Sequence, residues 1–166
     1  CALPIYPPSG FALLPRLLER AGATRAGAIT ALYTLLVAGN DREEPIADEV
    51  RGLLDGHVVL DRRLAQRGHF PPIDVVASTS RLAHKVIDRA QVDAAAVVRA
   101  HLATYEEHRD LITLGAYAAG RDKAVDAAVA AYPAIEKLVR QRRDEHADWD
   151  ATVGAIVDLA KRRPLG

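Results

Sequence analysis

Residues 57–80 read HVVLDRRLAQRGHFPPIDVVASTS. His57 to Leu60 is a short run of strand formers, Asp61 to Arg67 has helical composition and stops at Gly68, and Asp74 to Ala77 is a second apolar run. Strand, helix and strand in immediate succession make an α/β layer, because the helix has to cover a face of the sheet. Upstream, Ala28 to Val37 (AITALYTLLV) is apolar on both alternating faces. That is how a strand covered on both sides of a parallel sheet reads, so this run is expected to be the central strand. Before it, Ser9 is placed to cap a helix from Phe11 to Ala21, with Phe11, Leu14 and Leu18 on one stripe, a kink at Pro15 and a stop at Gly22. Gly39 to Pro45 is a polar loop, and Asp48 is expected to cap a short helix from Glu49 to Leu54.

After about residue 90 the composition changes: 19 of the 31 alanines lie from Ala90 onward and strand signals disappear. Val98, Leu102, Tyr105 and Ile112 fall on one helical face, as do Trp149, Val153, Ile156 and Ala160. Gly115 to Asp122 and Tyr132-Pro133 read as turns between helices. The expected fold is therefore α/β followed by all-α, the second part a bundle of three or four helices.

Charge narrows the function. Among 166 residues, 22 Lys and Arg stand against 22 Asp and Glu, and the two halves are each nearly balanced. Nucleic-acid arms and polybasic membrane patches need a local excess of cations, so neither partner is expected. No apolar run approaches the ~20 residues of a membrane helix, and an integral membrane protein is not expected. The single cysteine, Cys1, excludes an internal disulfide framework and points to a reducing compartment. The six histidines lack ligand spacing, so no metal is nominated. There is no methionine, and the chain reads as a piece of a longer protein. No G-x-x-x-x-G-K-[ST] phosphate loop occurs. Ser78 and Ser80 become nucleophiles only beside a histidine and a carboxylate. Glu43 and Glu44 read as a solvated loop, and Arg62, Arg63 and Arg67 together with Arg140, Arg142 and Arg143 read as solvated helix ends.

Read as strings, several blocks say more. Tyr6-Pro7-Pro8-Ser9 through Phe11 to Gly22, then Ile29 to Thr34, Pro45 to Asp48, Leu54 to Leu60, Gly68-His69-Phe70-Pro71 and Ile73 to Arg81 closely resemble the export ATPases of flagella and type III secretion. Tyr105-Glu106-Glu107, Gly115 to Gly120 and Ala147 to Asp150 resemble the helical domain of that family. Cys1 to Ile5 do not fit it and read as a non-native scar. The resemblance implies that residues 6–90 form the C-terminal part of a RecA-like P-loop ATPase domain with a parallel sheet. Residues 91–166 would form the C-terminal helical domain.

It also implies a parent that is a cytoplasmic homohexamer, similar to rotary ATP synthase catalytic subunits and peripheral to the inner-membrane export apparatus. That parent would hydrolyse ATP with Mg2+, work with a coiled-coil stalk protein, and handle export substrates or chaperones. The phosphate loop, catalytic glutamate and magnesium-site aspartate would lie outside this chain, which alone should be inactive. Two roles carry over. Arg81, closing Ser78-Thr79-Ser80-Arg81, matches the arginine finger that reaches the nucleotide of a neighbouring subunit, and Phe70 matches the aromatic that packs on adenine. Without the resemblance, the competing reading is a non-catalytic helical module for protein interaction.

Overall fold

The computed structural model describes residues 8–37 and 44–161. It divides into two compact units, residues 1–57 and 58–166.

In the first unit, helix α1 (Pro8–Leu18) begins one residue before the expected cap Ser9 and carries Pro15 inside it. A tight antiparallel hairpin follows, β1 (Gly22–Thr24) against β2 (Gly27–Ile29), in the register Gly22 with Ile29 and Thr24 with Gly27. The hydroxyl of Thr24 donates to the Gly27 carbonyl (3.1 Å) and holds the turn closed. Helix α2 (Pro45–Leu53) lies against α1 and buries Ala47 and Val50, one helical turn apart. It starts at Pro45, whose missing N–H costs nothing in a first turn, so Asp48 sits within the helix and not at its cap.

The central strand expected over Ala28–Val37 is not formed beyond Ile29. Residues 30–37 are without regular structure, with Leu32 97% and Leu36 89% exposed. A strand satisfies its backbone only through neighbours, and among the described residues none lies beside this run. Of the Gly39–Pro45 loop, residues 39–43 lie outside the described residues.

Strand β3 (Gly56–Leu60), most of which lies in the second unit, pairs with β4 (Ile73–Ser80) across the short helix α3 (Arg62–Gln66). This is the strand–helix–strand order expected from residues 57–80. A single helical turn, α4 (Ala83–Val86), leads to three long helices: α5 (Arg89–Thr113), α6 (Lys123–Val139) and α7 (Trp149–Lys161). Val98 and Leu102 of α5 meet Ile135 of α6, ringed by Val75, Ala131, Tyr132, Val139, Ile156 and Leu159. Tyr105 and Tyr132 stack with ring centroids 3.6 Å apart. Trp149, expected on the inner face of α7, is instead an exposed first residue.

Aspartates fix the helix starts. Asp61, Asp88, Asp122 and Asp148 each accept a backbone N–H from the first turn of α3, α5, α6 or α7, the groups an isolated helix leaves unpaired. Gly115, at φ 68°, closes α5 in the left-handed region that glycine tolerates.

Tyr132-Pro133, expected as a turn, lies inside α6. An internal proline costs a helix about 3 kcal/mol. Val125 and Ala128 before it and Ile135 after it are almost fully enclosed, and burying that continuous face outweighs the penalty.

Candidate functional site

The candidate residues bracket one strand. Phe70 lies three positions before β4, and Arg81 immediately follows its last residue, Ser80. Eight fully extended residues at ~3.3 Å each would span roughly 25 Å, an upper bound for a strand that bends at Asp74 to Ser78. One strand thus carries an aromatic ring before its start and a guanidinium just after its end.

At the Phe70 end, Gly68 follows α3 in the left-handed region (φ 70°), and the Phe70–Pro71 peptide is cis. Two bonds tie this loop to the end of α6: Arg140 Nη2 donates to the Gly68 carbonyl (3.0 Å), and the Gln141 backbone N–H donates to the Phe70 carbonyl (2.8 Å). The backbone is thus held while the ring stays 54% exposed, its face not taken up by the protein's own core. Phe70, Pro71 and Pro72 line an open groove of about 960 Å³ with residues 140–145. Arg140 is therefore not simply a solvated helix end. Arg142 pairs with Asp144 (3.1 Å), whose carboxyl this guanidinium holds below the usual range. Beside the groove, burial and then the charge of Arg140 push His69 below the usual imidazole range, with Glu136 opposing.

At the other end, Arg81 is exposed between β4 and α4. The strand leading to it is bent. The Ala77 N–H donates to Asp74 Oδ1 (2.8 Å), and Ser78 Oγ donates to the Asp74 carbonyl (2.6 Å) while accepting from the Val59 N–H of β3 (2.9 Å). Ser78 thus connects the two strands through its hydroxyl. Arg99 of α5 donates to three carbonyls of the same strand: Nη1 to Val75 (2.6 Å) and Ser78 (3.0 Å), Nη2 to Val76 (2.9 Å). Sequence reasoning missed Arg99, Arg140 and Gln141 as contributors. The one signal for Arg99 is its place beside Val98 on a helix whose next inward residue is Leu102.

A third feature is the connection between α5 and α6. The Tyr117 hydroxyl donates to Asp126 Oδ1 (2.9 Å) and the Gly120 N–H to Asp126 Oδ2 (2.9 Å), so residues 115–122 form a tied, outward-facing turn. Among the described residues no group of three His, Cys, Asp or Glu side chains could hold a metal ion, and no helix is long and apolar enough to cross a membrane.

Known proteins resemble the chain over most of its length. Residues 4–80 match the ATP synthase alpha/beta family, nucleotide-binding domain, and residues 87–158 match the type III secretion EscN ATPase C-terminal domain. The flagellum-specific ATP synthase of Bacillus subtilis is 47% identical over 154 residues, covering 93% of this chain and 35% of that protein. The assembled ATPase EscN of enteropathogenic Escherichia coli superimposes with a TM-score of 0.88 at 39% identity, over 93% of this chain and 38% of that one. A structure of EscN in complex with its central stalk EscO superimposes at 0.82, at 39% identity over 93% of this chain and 36% of that one. The fold is thus an α/β nucleotide-binding segment followed by a helical C-terminal domain, of the ATP synthase alpha/beta class. Within that class the chain's relatives are flagellum-specific ATP synthases and type III secretion system ATPases. It spans about a third of the length of the curated relatives it matches.

Proposed function

We propose that residues 1–166 are the finger-bearing portion of an ATPase that energises protein export through a flagellar or type III secretion apparatus. The observation that carries this reading is the placement of Phe70 and Arg81 at opposite ends of β4, each side chain exposed. One strand can then address two nucleotides in a ring: the subunit's own at Phe70, the neighbour's at Arg81. Stacking on an exposed, backbone-anchored phenyl face suits a purine, and the adjacent groove has room for one. At the other end a permanently charged planar fork meets phosphate oxygens and offsets the charge that develops during phosphoryl transfer.

Magnesium-bound ATP is the substrate, and the ion's ligands and the phosphate loop belong to parts of the protein outside this chain. The boundary between the ATPase and helical domains falls near residue 90, where α5 begins. The ring is a homohexamer, as the assembled EscN structures suggest, and the tied turn at residues 115–122 is the surface offered to a central stalk. The protein works in the cytoplasm at the membrane-embedded export apparatus, with substrates and chaperones as transient partners.

In the full-length protein, Arg81→Ala is expected to lower kcat about 10³-fold or more while a fluorescent ATP analogue still binds. Phe70→Ala is expected to weaken that binding about tenfold with the maximal rate less affected. Near-normal turnover of Arg81→Ala removes the finger, and unchanged nucleotide affinity of Phe70→Ala removes the stacking role.

A further inference from the structure

Arg99 makes a set of contacts that ordinary helix–sheet packing does not require. It lies between the core positions Val98 and Leu102, where an aliphatic residue would do for packing, yet its guanidinium crosses to β4 and gathers the carbonyls of Val75, Val76 and Ser78 at 2.6 to 3.0 Å. Consecutive carbonyls of a regular strand point in opposite directions. One cation reaching both Val75 and Val76 therefore marks the bend made by the bonds to Asp74. The last of the three carbonyls is only three residues from Arg81, and no regular element intervenes between Ser80 and the N-cap of α4.

We propose that Arg99 is a positioning residue for Arg81. It locks the bent end of β4 to the long helix α5, so that the exposed guanidinium leaves the sheet in one direction. This rests on the reading of Arg81 as a finger acting on a neighbour's nucleotide. A group acting across a subunit boundary depends on how its own backbone is aimed, and a misplacement of about 1 Å can cost about 100-fold in rate. The planar fork matters more than the charge. Lysine keeps the charge but offers donors from a single point, which cannot hold three oxygens spread over four residues.

In the full-length protein, Arg99→Lys is expected to lower kcat for ATP about 10- to 100-fold, with KM for magnesium-ATP and ring assembly by light scattering unchanged. In an Arg81→Ala background the same substitution is expected to change single-turnover rates by less than about twofold, because residues acting through one another do not add. An unaltered kcat for Arg99→Lys, a change in KM alone, or an equal loss in both backgrounds overturns the proposal. Arg99→Gln provides a second variant. If both variants fail to assemble, Arg99 maintains the fold and not the finger, and the proposal is overturned. Normal turnover of Arg81→Ala by itself would instead defeat the finger reading, an outcome distinct from a crippled Arg81→Ala beside a normal Arg99→Lys.

Discussion

Residues 8–57 and residues 58–161 are similarly rich in apolar side chains but use them differently. In the second region Val125, Ala128 and Ile135 are at most 1% exposed, whereas in the first Ile29, Leu32 and Leu36 face solvent. The difference follows from where each kind of element finds its hydrogen bonds. A helix satisfies its backbone within itself, so α5, α6 and α7 need only one another to enclose a core. A central strand needs a ladder on both sides, and among the described residues AITALYTLLV has one only at Ala28 and Ile29, on one side. Capping repeats the contrast: four aspartates close helix starts in residues 58–161, whereas Glu44, the N-cap of α2, makes no side-chain cap bond.

The largest expected effect tests the core. Ile135→Ala should cost about 3 to 4 kcal/mol in urea unfolding of the 166-residue chain, the usual range for emptying a filled core site, while Leu32→Ala should cost under about 0.5 kcal/mol. Equal costs would break the contrast by showing that the exposed run is covered in solution. Asp122→Ala should remove about 1 kcal/mol, because it strands the first N–H groups of α6, and the loss should appear as faster amide exchange at Ala124 and Val125. A loss confined to residues outside α6 would argue against the cap.

The smallest effect concerns the tyrosine stack. Burial, with Glu136 and Glu106 adding to it, pushes the Tyr132 phenol up to about 12. The unfolded phenol ionises near 10, so the folded state holds its proton longer. This group's contribution is fully present below about pH 10 and is lost as pH rises toward 12. Tyr132→Phe should flatten that alkaline slope and delete the last phenolate step in the ultraviolet titration. A Tyr132 that ionises with the exposed phenols would contradict the packing.

Much of this was legible in the residues, for stated reasons. The stripe of Val98 and Leu102, the stop at Gly68 and the polar turn before Asp122 are local signals, and each appears where its period or turn chemistry puts it. Tyr132-Pro133 misled because a proline's local cost is visible in the string, while the burial of Ile135 that offsets it is not. Ala28 to Val37 misled because its pattern reports a two-sided environment that the described residues do not supply. At the site, Phe70 and Arg81 stood out only through family likeness. Arg99 and Gln141 act on carbonyls 21 or more residues away, and a bond to a main-chain oxygen leaves no mark on the identity of the partner residue.

Helix α6 starts at Asp122, beside the outward turn, and ends at the two bonds that grip the loop of Phe70. Its 17 residues, at ~1.5 Å each, make a strut of about 25 Å. If the turn and the ring have the roles proposed above, a push on one would reach the loop of the other along this helix, with no need for the sheet to deform.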